Sequence, residues 1–403
     1  MRIPTFSQFS QSLTAMQQQS SSIQKTQLQL SSGLRILKPS DDPAGAVKVL
    51  NLNANIDTID QFTRSSAVAQ ATLSQQDSVL SNINDSLQRI RELTIQGMSP
   101  TNHDSARNDI ALEIDQRYKE LLSLANTRDA NGEYLFAGGA GDVLPFLDNG
   151  SGVSYQGDQT SRELQIGDGT KVSVRDNGDQ LFMQIPGGDG TVQVKAGPGN
   201  KGSLLVGGFS GNQSFVPDTY TITFTAGASG QPMNYTVTDS AMPTPTTVAS
   251  GIYRDGQSLA FGGVQMALTG TPAAGDTVTV QSAQSQSVFA TVKGIGTSLR
   301  IASGSNSNQS SIQNQMAQGL GNLDQALNAV NNQRAAVGAR LNSIDNSDSI
   351  NADFKLQMNT LKSGTQDLDF AEAISRFNQQ MASLQAAQEA YAKTSQLSLF
   401  KYL

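Results

Sequence analysis

The chain has 403 residues, a formal net charge of −7 and no cysteine. That balance argues against a nucleic-acid backbone as the main partner, because no basic stripe is present to release counterions, and the lack of thiols excludes disulfides, CxxC redox chemistry and thiolate metal sites. Only 15% of residues are charged, against roughly a quarter in an average domain. Ser, Gln, Asn and Thr carry the surface instead, which suits a protein that packs against copies of itself.

The opening residues, MRIPTFSQFSQSLTA, lack the apolar centre of a signal peptide. No apolar run approaches the roughly 18 residues of a membrane span. A chain of this kind that leaves the cell is expected to use a route without a cleaved Sec signal. Met16, Ile23, Leu30 and Leu37 then stand seven apart, with Leu13 and Leu34 beside them and mostly Gln and Ser between. This is a helix with a narrow apolar seam. SSGLRILKPSDDPAGAVKVL, Ser31 to Leu50, interrupts it. Pro43 lacks an N–H and fits a first helical turn, while Ser40, Asp41 and Asp42 are suited to accept from unpaired amides at a helix start. A carboxylate-pair site or phosphate loop is disfavoured, since no GxxxxGK[ST] pattern, histidine or third acid lies nearby.

The next helix carries Val49, Leu52, Ile56, Ile59 and Phe62, then Leu73, Leu80, Ile83, Leu87 and Ile90, and stops at Gly97–Pro100. A third, with Ile110, Ile114, Tyr118, Leu121 and Ala125 on one face, runs to about Arg128. From about 132 to 284 the period changes to that of strands, as in TYTITFT (Thr219–Thr225), NYTVT (Asn234–Thr238) and DTVTV (Asp276–Val280). GDGT at Gly167 and GGDGT at Gly187 read as tight turns rather than calcium loops, because the nonapeptide repeat of such loops is missing. Helical spacing returns with Val288, Phe289, Val292, Ile295 and Leu299, although Gly294 and Gly296 each weaken it by roughly 1 kcal/mol. SGSNSNQSS, Ser303–Ser311, reads as a linker. Beyond it Met316, Leu323, Val330, Val337 and Ile344 recur every seven residues, flanked by Leu320, Leu327 and Leu341. The last segment aligns Phe370, Ile374, Phe377, Met381, Leu384 and Tyr391, and ends in LSLFKYL.

Seams apolar on only one side are not stable alone, so helices at the two ends of the chain are expected to pair. The reading is an α+β fold: a long helical coiled-coil hairpin built from both chain ends, with a β-rich insertion between them. The expected divisions are terminal helices at 1–42 and 366–403, a helical bundle at 43–131 and 285–365, and a β-rich outer part at 132–284. The terminal stripes are too narrow to hold a lone pair of helices. The residues expected to be covered on assembly are Met16, Ile23, Leu30, Leu34, Leu37, Phe377, Met381, Leu384, Tyr391, Leu399, Phe400, Tyr402 and Leu403.

SSGLRILKPSDDPAGA resembles the segment after the first helix in the flagellin superfamily, and its Lys38-Pro39-Ser40-Asp41-Asp42-Pro43 form resembles the hook-filament junction branch. NGEYLFAG (Asn131–Gly138), DFAEAI (Asp369–Ile374) and the LSLFKYL ending are similar to the same branch. The resemblance implies a structural protein of the bacterial flagellum, exported unfolded through the flagellar type III channel and seated between hook and filament. Its implied partners are further copies of itself in an axial ring, hook-associated protein 1 on the hook side, flagellin on the filament side, and an export chaperone at the C-terminal helix. It implies no cofactor, metal, nucleic acid or membrane. In such proteins the terminal helices form the inner tube and the β part faces outward.

Two other classes compete. The single histidine, His103, lies in the polar stretch SPTNHDSARND and reads as a solvated turn residue. Without a GxSxG elbow, Rossmann fingerprint or HExxH, an enzyme is disfavoured. An adhesive, carbohydrate-binding β part needs only a groove with aromatic rings, which Tyr220, Phe224 and Tyr235 could supply, although the inner face of a strand pair suits them better. Flagellin itself shares the hairpin and the export route, but the Lys-Pro-Ser-Asp-Asp-Pro break, Tyr-Leu-Phe-Ala-Gly and Leu-Phe-Lys-Tyr-Leu favour the junction branch.

Overall fold

The computed structural model describes residues 5–228, 231–240 and 244–396. Its helices are α1 (Thr5–Ser32), α2 (Pro43–Gly97), α3 (Asp104–Ala125), α4 (Val288–Leu299), α5 (Asn306–Gln366) and α6 (Phe370–Gln396). All the strands lie between α3 and α4, so the fold is α+β, with long helices from both ends of the chain and a β-rich middle. The chain divides into two compact units, residues 65–346 and residues 1–64 with 347–403.

In the larger unit the seven-residue repeat of α5 is fully internal: Met316, Leu323, Val330, Val337 and Ile344 are all buried. They share one core with Leu73, Leu80, Ile83, Leu87 and Ile90 of α2, Ile110, Ile114 and Leu121 of α3, and Val292, Ile295 and Leu299 of α4. Ion pairs brace the two long helices, Arg91 to Asp324 at 2.7 Å and Arg334 to Asp77 at 3.0 Å. α4 forms in spite of its two glycines because the Ser287 hydroxyl accepts from the amides of Phe289 and Ala290 and its apolar face is buried. Gly319 allows α5 to approach it, since a Cβ there would lie 2.6 Å from Ile295 Cγ1.

The expected linker at Ser303–Ser311 is mostly helix. Ser305 Oγ accepts from the Asn308 amide at 3.2 Å and starts α5 at Asn306, and Ile312 is buried in its second turn. The polar composition resembles that of a break because Ser and Asn also serve as caps. In the opposite sense, α1 stops at Ser32 rather than continuing to Leu37. Gly33 adopts φ +72°, its amide bonds to Gln29 O, and Ile36 becomes the buried residue of the break.

The strands fall into two groups with separate cores. Hairpins β1 (Phe146–Asp148) with β2 (Val153–Tyr155) and β3 (Arg162–Gly167) with β4 (Thr170–Arg175) lie against the helical core. So do a π-helical turn (Asp179–Met183) and β5 (Ile185–Pro186), which pairs with β14 (Ser285–Gln286). Phe136, Phe146, Phe182 and Phe289 pack together there with ring centroids 5.2–5.9 Å apart. The NGEYLFAG segment sits beside them, with Leu135 and Phe136 buried. Its turn is held by Asp129 Oδ1, which accepts from the Asn131 and Glu133 amides, and by buried Arg175, paired with Asp129 and Glu133. Burial pulls the Arg175 guanidinium below its ordinary pKa, and the Asp129 carboxylate opposes that pull.

The second group has its own core of Val192, Tyr220, Ile222, Phe224, Val237, Met266, Leu268, Val278 and Val280. A five-stranded antiparallel sheet runs β10 (Thr247–Ile252), β9 (Asn234–Thr238), β8 (Tyr220–Thr225), β13 (Thr277–Ser282), β6 (Val192–Ala196). A three-stranded sheet runs β11 (Ser258–Phe261), β12 (Val264–Thr269), β7 (Leu205–Gly211). Tyr220 and Phe224 are buried on the inner face, and Tyr235 covers Gly251 of the neighbouring strand. These three rings therefore belong to the sheet interior and do not build an aromatic groove.

Candidate assembly interface

The break after α1 and the break before α6 meet. Arg35 N donates to Gln366 O at 2.7 Å and Leu368 N to Gly33 O at 2.9 Å, forming a small antiparallel bridge. The two aspartates of the first break divide the labour. Asp42 caps α2, its Oδ1 accepting from Gly45 N at 2.9 Å, and pairs with Arg35 at 3.2 Å. Asp41 turns the other way: its Oδ2 accepts from the Leu37 and Lys38 amides, and its Oδ1 meets Lys25 of α1 at 2.8 Å. Only one aspartate is thus a helix cap; the other ties the break back onto α1. Arg35 NH2 also donates to Thr365 O at 2.6 Å.

Both carboxyls are held below their usual range. For Asp41 the Lys25 contact is the main cause, followed by the Lys38 amide; for Asp42 it is the Gly45 amide, with Arg35 adding to it. A carboxyl whose folded pKa is depressed stabilises at pH values above the unfolded value and loses that contribution as pH falls through its folded pKa. The clasp is therefore expected to be whole at neutral pH and to open in acid below the ordinary carboxylate range. Asp42→Ala, which removes both cap and ion pair, should lower the midpoint at which the start of α2 melts more than Asp42→Asn, which keeps an oxygen for Gly45. Equal melting curves for both variants and the parent, followed by circular dichroism at neutral pH and in acid, would argue that the clasp contributes nothing.

α1 and α6 lie antiparallel, with Phe9 edge-on to Tyr391 at 5.6 Å and Thr26 Oγ1 donating to Gln380 Oε1 at 2.9 Å. Their seam is thin. Ile23, Thr26, Gln29 and Ala373 are buried, while Met16, Leu30, Phe377, Leu384 and Tyr391 remain half-exposed and Met381 stays exposed. Leu34 and Leu37 are half-buried in the break. Leu399, Phe400, Tyr402 and Leu403 lie outside the described residues. Ile350, Phe354 and Leu361 of α5 form a stripe that had no signal in the heptad reading, whereas Phe370, Ile374 and Met381 of α6 belong to the face aligned in the sequence. Both triplets are spaced four and seven apart, so each shares one helix face, and all six residues are exposed. His103 stands exposed at the start of α3, where its side chain makes no capping bond.

Residues 3–140 match the profile of the bacterial flagellin N-terminal helical region, and residues 320–403 that of the bacterial flagellin C-terminal helical region. The flagellar hook-associated protein 3 of Escherichia coli K12 is 29% identical over 185 residues, 46% of this chain and 58% of that protein. The sequence match thus spans less than two thirds of that curated relative. Among solved structures, the flagellar junction protein FlgL from Legionella pneumophila is 30% identical with a TM-score of 0.68, covering 74% of this chain and 99% of that one. The chain belongs to the FlgL family. FlgL of Xanthomonas campestris agrees, with a TM-score of 0.72 and 29% identity over 77% of this chain and 99% of that one. Within the family frame, the clasp, the thin terminal seam and the exposed stripes all fall on the helices supplied by the two matched ends.

Proposed function

We propose that this protein is a structural, non-catalytic subunit of the bacterial flagellum that joins hook to filament after export through the type III channel. The observation that carries this reading is the agreement with FlgL structures over 99% of their length. The physical counterpart is the unit of residues 1–64 with 347–403, whose helices keep large apolar side chains in water along two stripes and meet across a seam containing Thr26, Gln29 and Gln380. Neighbouring subunits would cover Met16, Leu30, Phe377, Met381, Leu384 and Tyr391, so that the terminal helices complete their burial on assembly. The partners on this reading are copies of the same chain in a ring, hook-associated protein 1 below and flagellin above, with a chaperone covering the C-terminal stripe before export. Electron microscopy of a deletion strain tests it. Bare hooks, with filament protein accumulating in the medium, are the expected result. Hooks that still carry filaments would overturn the junction role.

A further inference from the structure

The edge strands β6 and β7 are consecutive in the chain but do not pair: β6 bonds to β13, and β7 to β12. They meet at one end, where a Cβ on Gly211 would lie 2.9 Å from Val192 Cγ1, and Val194 and Ala196 of β6 line the same cleft as Val206 to Phe209 of β7. α5 lies across the opening and encloses a cleft of about 530 Å³. Asn314 of α5 behaves there as a strand residue would, its Nδ2 donating to Leu204 O at 2.9 Å and its Oδ1 accepting from Val206 N at 2.8 Å. That amide satisfies the beginning of the β7 edge. The next residues, Gly207 and Gly208, form a bulge opposite Ala267, and a Cβ on Gly208 would meet nothing within 4 Å.

The chemistry of the cleft selects its occupant. Among the described residues its lining contains no Lys or Arg, which disfavours an anion, and its two carboxylates are engaged: Asp189 with the Thr191, Val192 and Gly211 amides, Asp324 with Arg91. Phe209 is the one aromatic ring among the described residues lining it, too little for stacking a sugar chain. What remains is a strand edge above a floor that includes Val194, Leu204 and Leu320, which fits an extended, uncharged segment.

The same chain presents such a segment. β10 is the opposite edge of the five-stranded sheet, its sequence TVASGI carries no charge and no proline, and Val248 and Ile252 are exposed. Edges of monomeric proteins are usually blunted by such charges or prolines. The bulge between Thr247 and Ala249 leaves Ala249–Ile252 regular for pairing. We infer that β10 of one copy adds to the β7 edge in the cleft of the next copy, a head-to-tail contact between β regions. It rests on the reading of a multi-copy assembly. Because donor and acceptor are different surfaces, the contact is heterologous and propagates around a ring or along a helix rather than stopping at a dimer.

The cysteine-free chain makes the test clean. The full-length protein carrying both Gly208→Cys and Ser250→Cys, two exposed positions, is expressed in a strain lacking the parent, and isolated flagella are treated with a short bismaleimide that tolerates a one-residue shift of register. The expected result is a ladder of covalent multimers on a denaturing gel, monomers only from either single variant, and loss of the ladder when Ile252→Lys is added. No ladder from flagella that assemble normally overturns the strand contact while leaving the junction role intact. Dimers from Ser250→Cys alone would mean that β10 pairs with itself, which also overturns it. If the double variant does not assemble, the same cross-linking of concentrated purified protein decides, and monomers alone count against the contact. Filaments in the strain lacking any copy would instead sink the junction reading.

Discussion

Val337→Asp unfolds the larger unit. The side chain is wholly buried in the seam shared by α2 and α5, and a carboxylate placed there has to be desolvated without a partner or take up a proton; either costs several kcal/mol, a large share of the total stability of a domain. Leu323→Ala at an equally buried position keeps the seam apolar and leaves a cavity, for a cost of about 2–5 kcal/mol. Thermal melting should show the first variant largely unfolded and the second with a clearly lowered midpoint. Leu356→Asp, at an exposed position on the same helix, is the control and should melt like the parent. If all three melt alike, the seam is not the core.

The second large effect concerns the ends. Because α1 and α6 bury only a thin, partly polar seam against each other, ordering them costs more backbone entropy than the monomer recovers. Limited proteolysis of the intact monomer should therefore strip both ends rapidly as far as the two breaks, leaving a resistant core of about residues 43–366. That core, added to hooks, should not support filament growth. Slow amide exchange throughout Thr5–Ser32 and Phe370–Gln396 in the free monomer would contradict folding coupled to assembly.

How much of this could be read from the residues depended on how regular the burial is. The spacing of Met316 to Ile344 gave its own helix and its buried face because one side of the helix is apolar and the other is not. The strands Tyr220–Thr225 and Asn234–Thr238 were equally plain, since β-branched and aromatic residues alternate. β7 was not, because LVGGFSG has glycine where a strand pattern needs a side chain. Residues 303–311 misled because Ser and Asn both break and start helices, and only the geometry at Ser305 distinguishes the two. Asp189 looked like an open turn tip, yet its carboxylate organises three amides. In the candidate interface, Met16, Ile23 and Leu30 announced themselves by heptad spacing, whereas Thr26, Gln29 and Ala373 share the seam without any hydrophobic signal. The pairing of the two breaks depends on backbone bonds, which leave no trace in residue type.

The antiparallel arrangement of α1 and α6 also has a mechanical side. Phe9 and Tyr391 close the open end of the pair, Thr26 and Gln380 lie farther in, and the Gly33–Leu368 bridge closes its far end. Tension applied to either end of the chain loads these contacts one layer after another, as in peeling tape, and never all at once, as in shear. Whenever the seam closes before export, a chain drawn end first into a channel would part it in small steps, each opposed by little more than a ring contact or one hydrogen bond, until the force reaches the bridge.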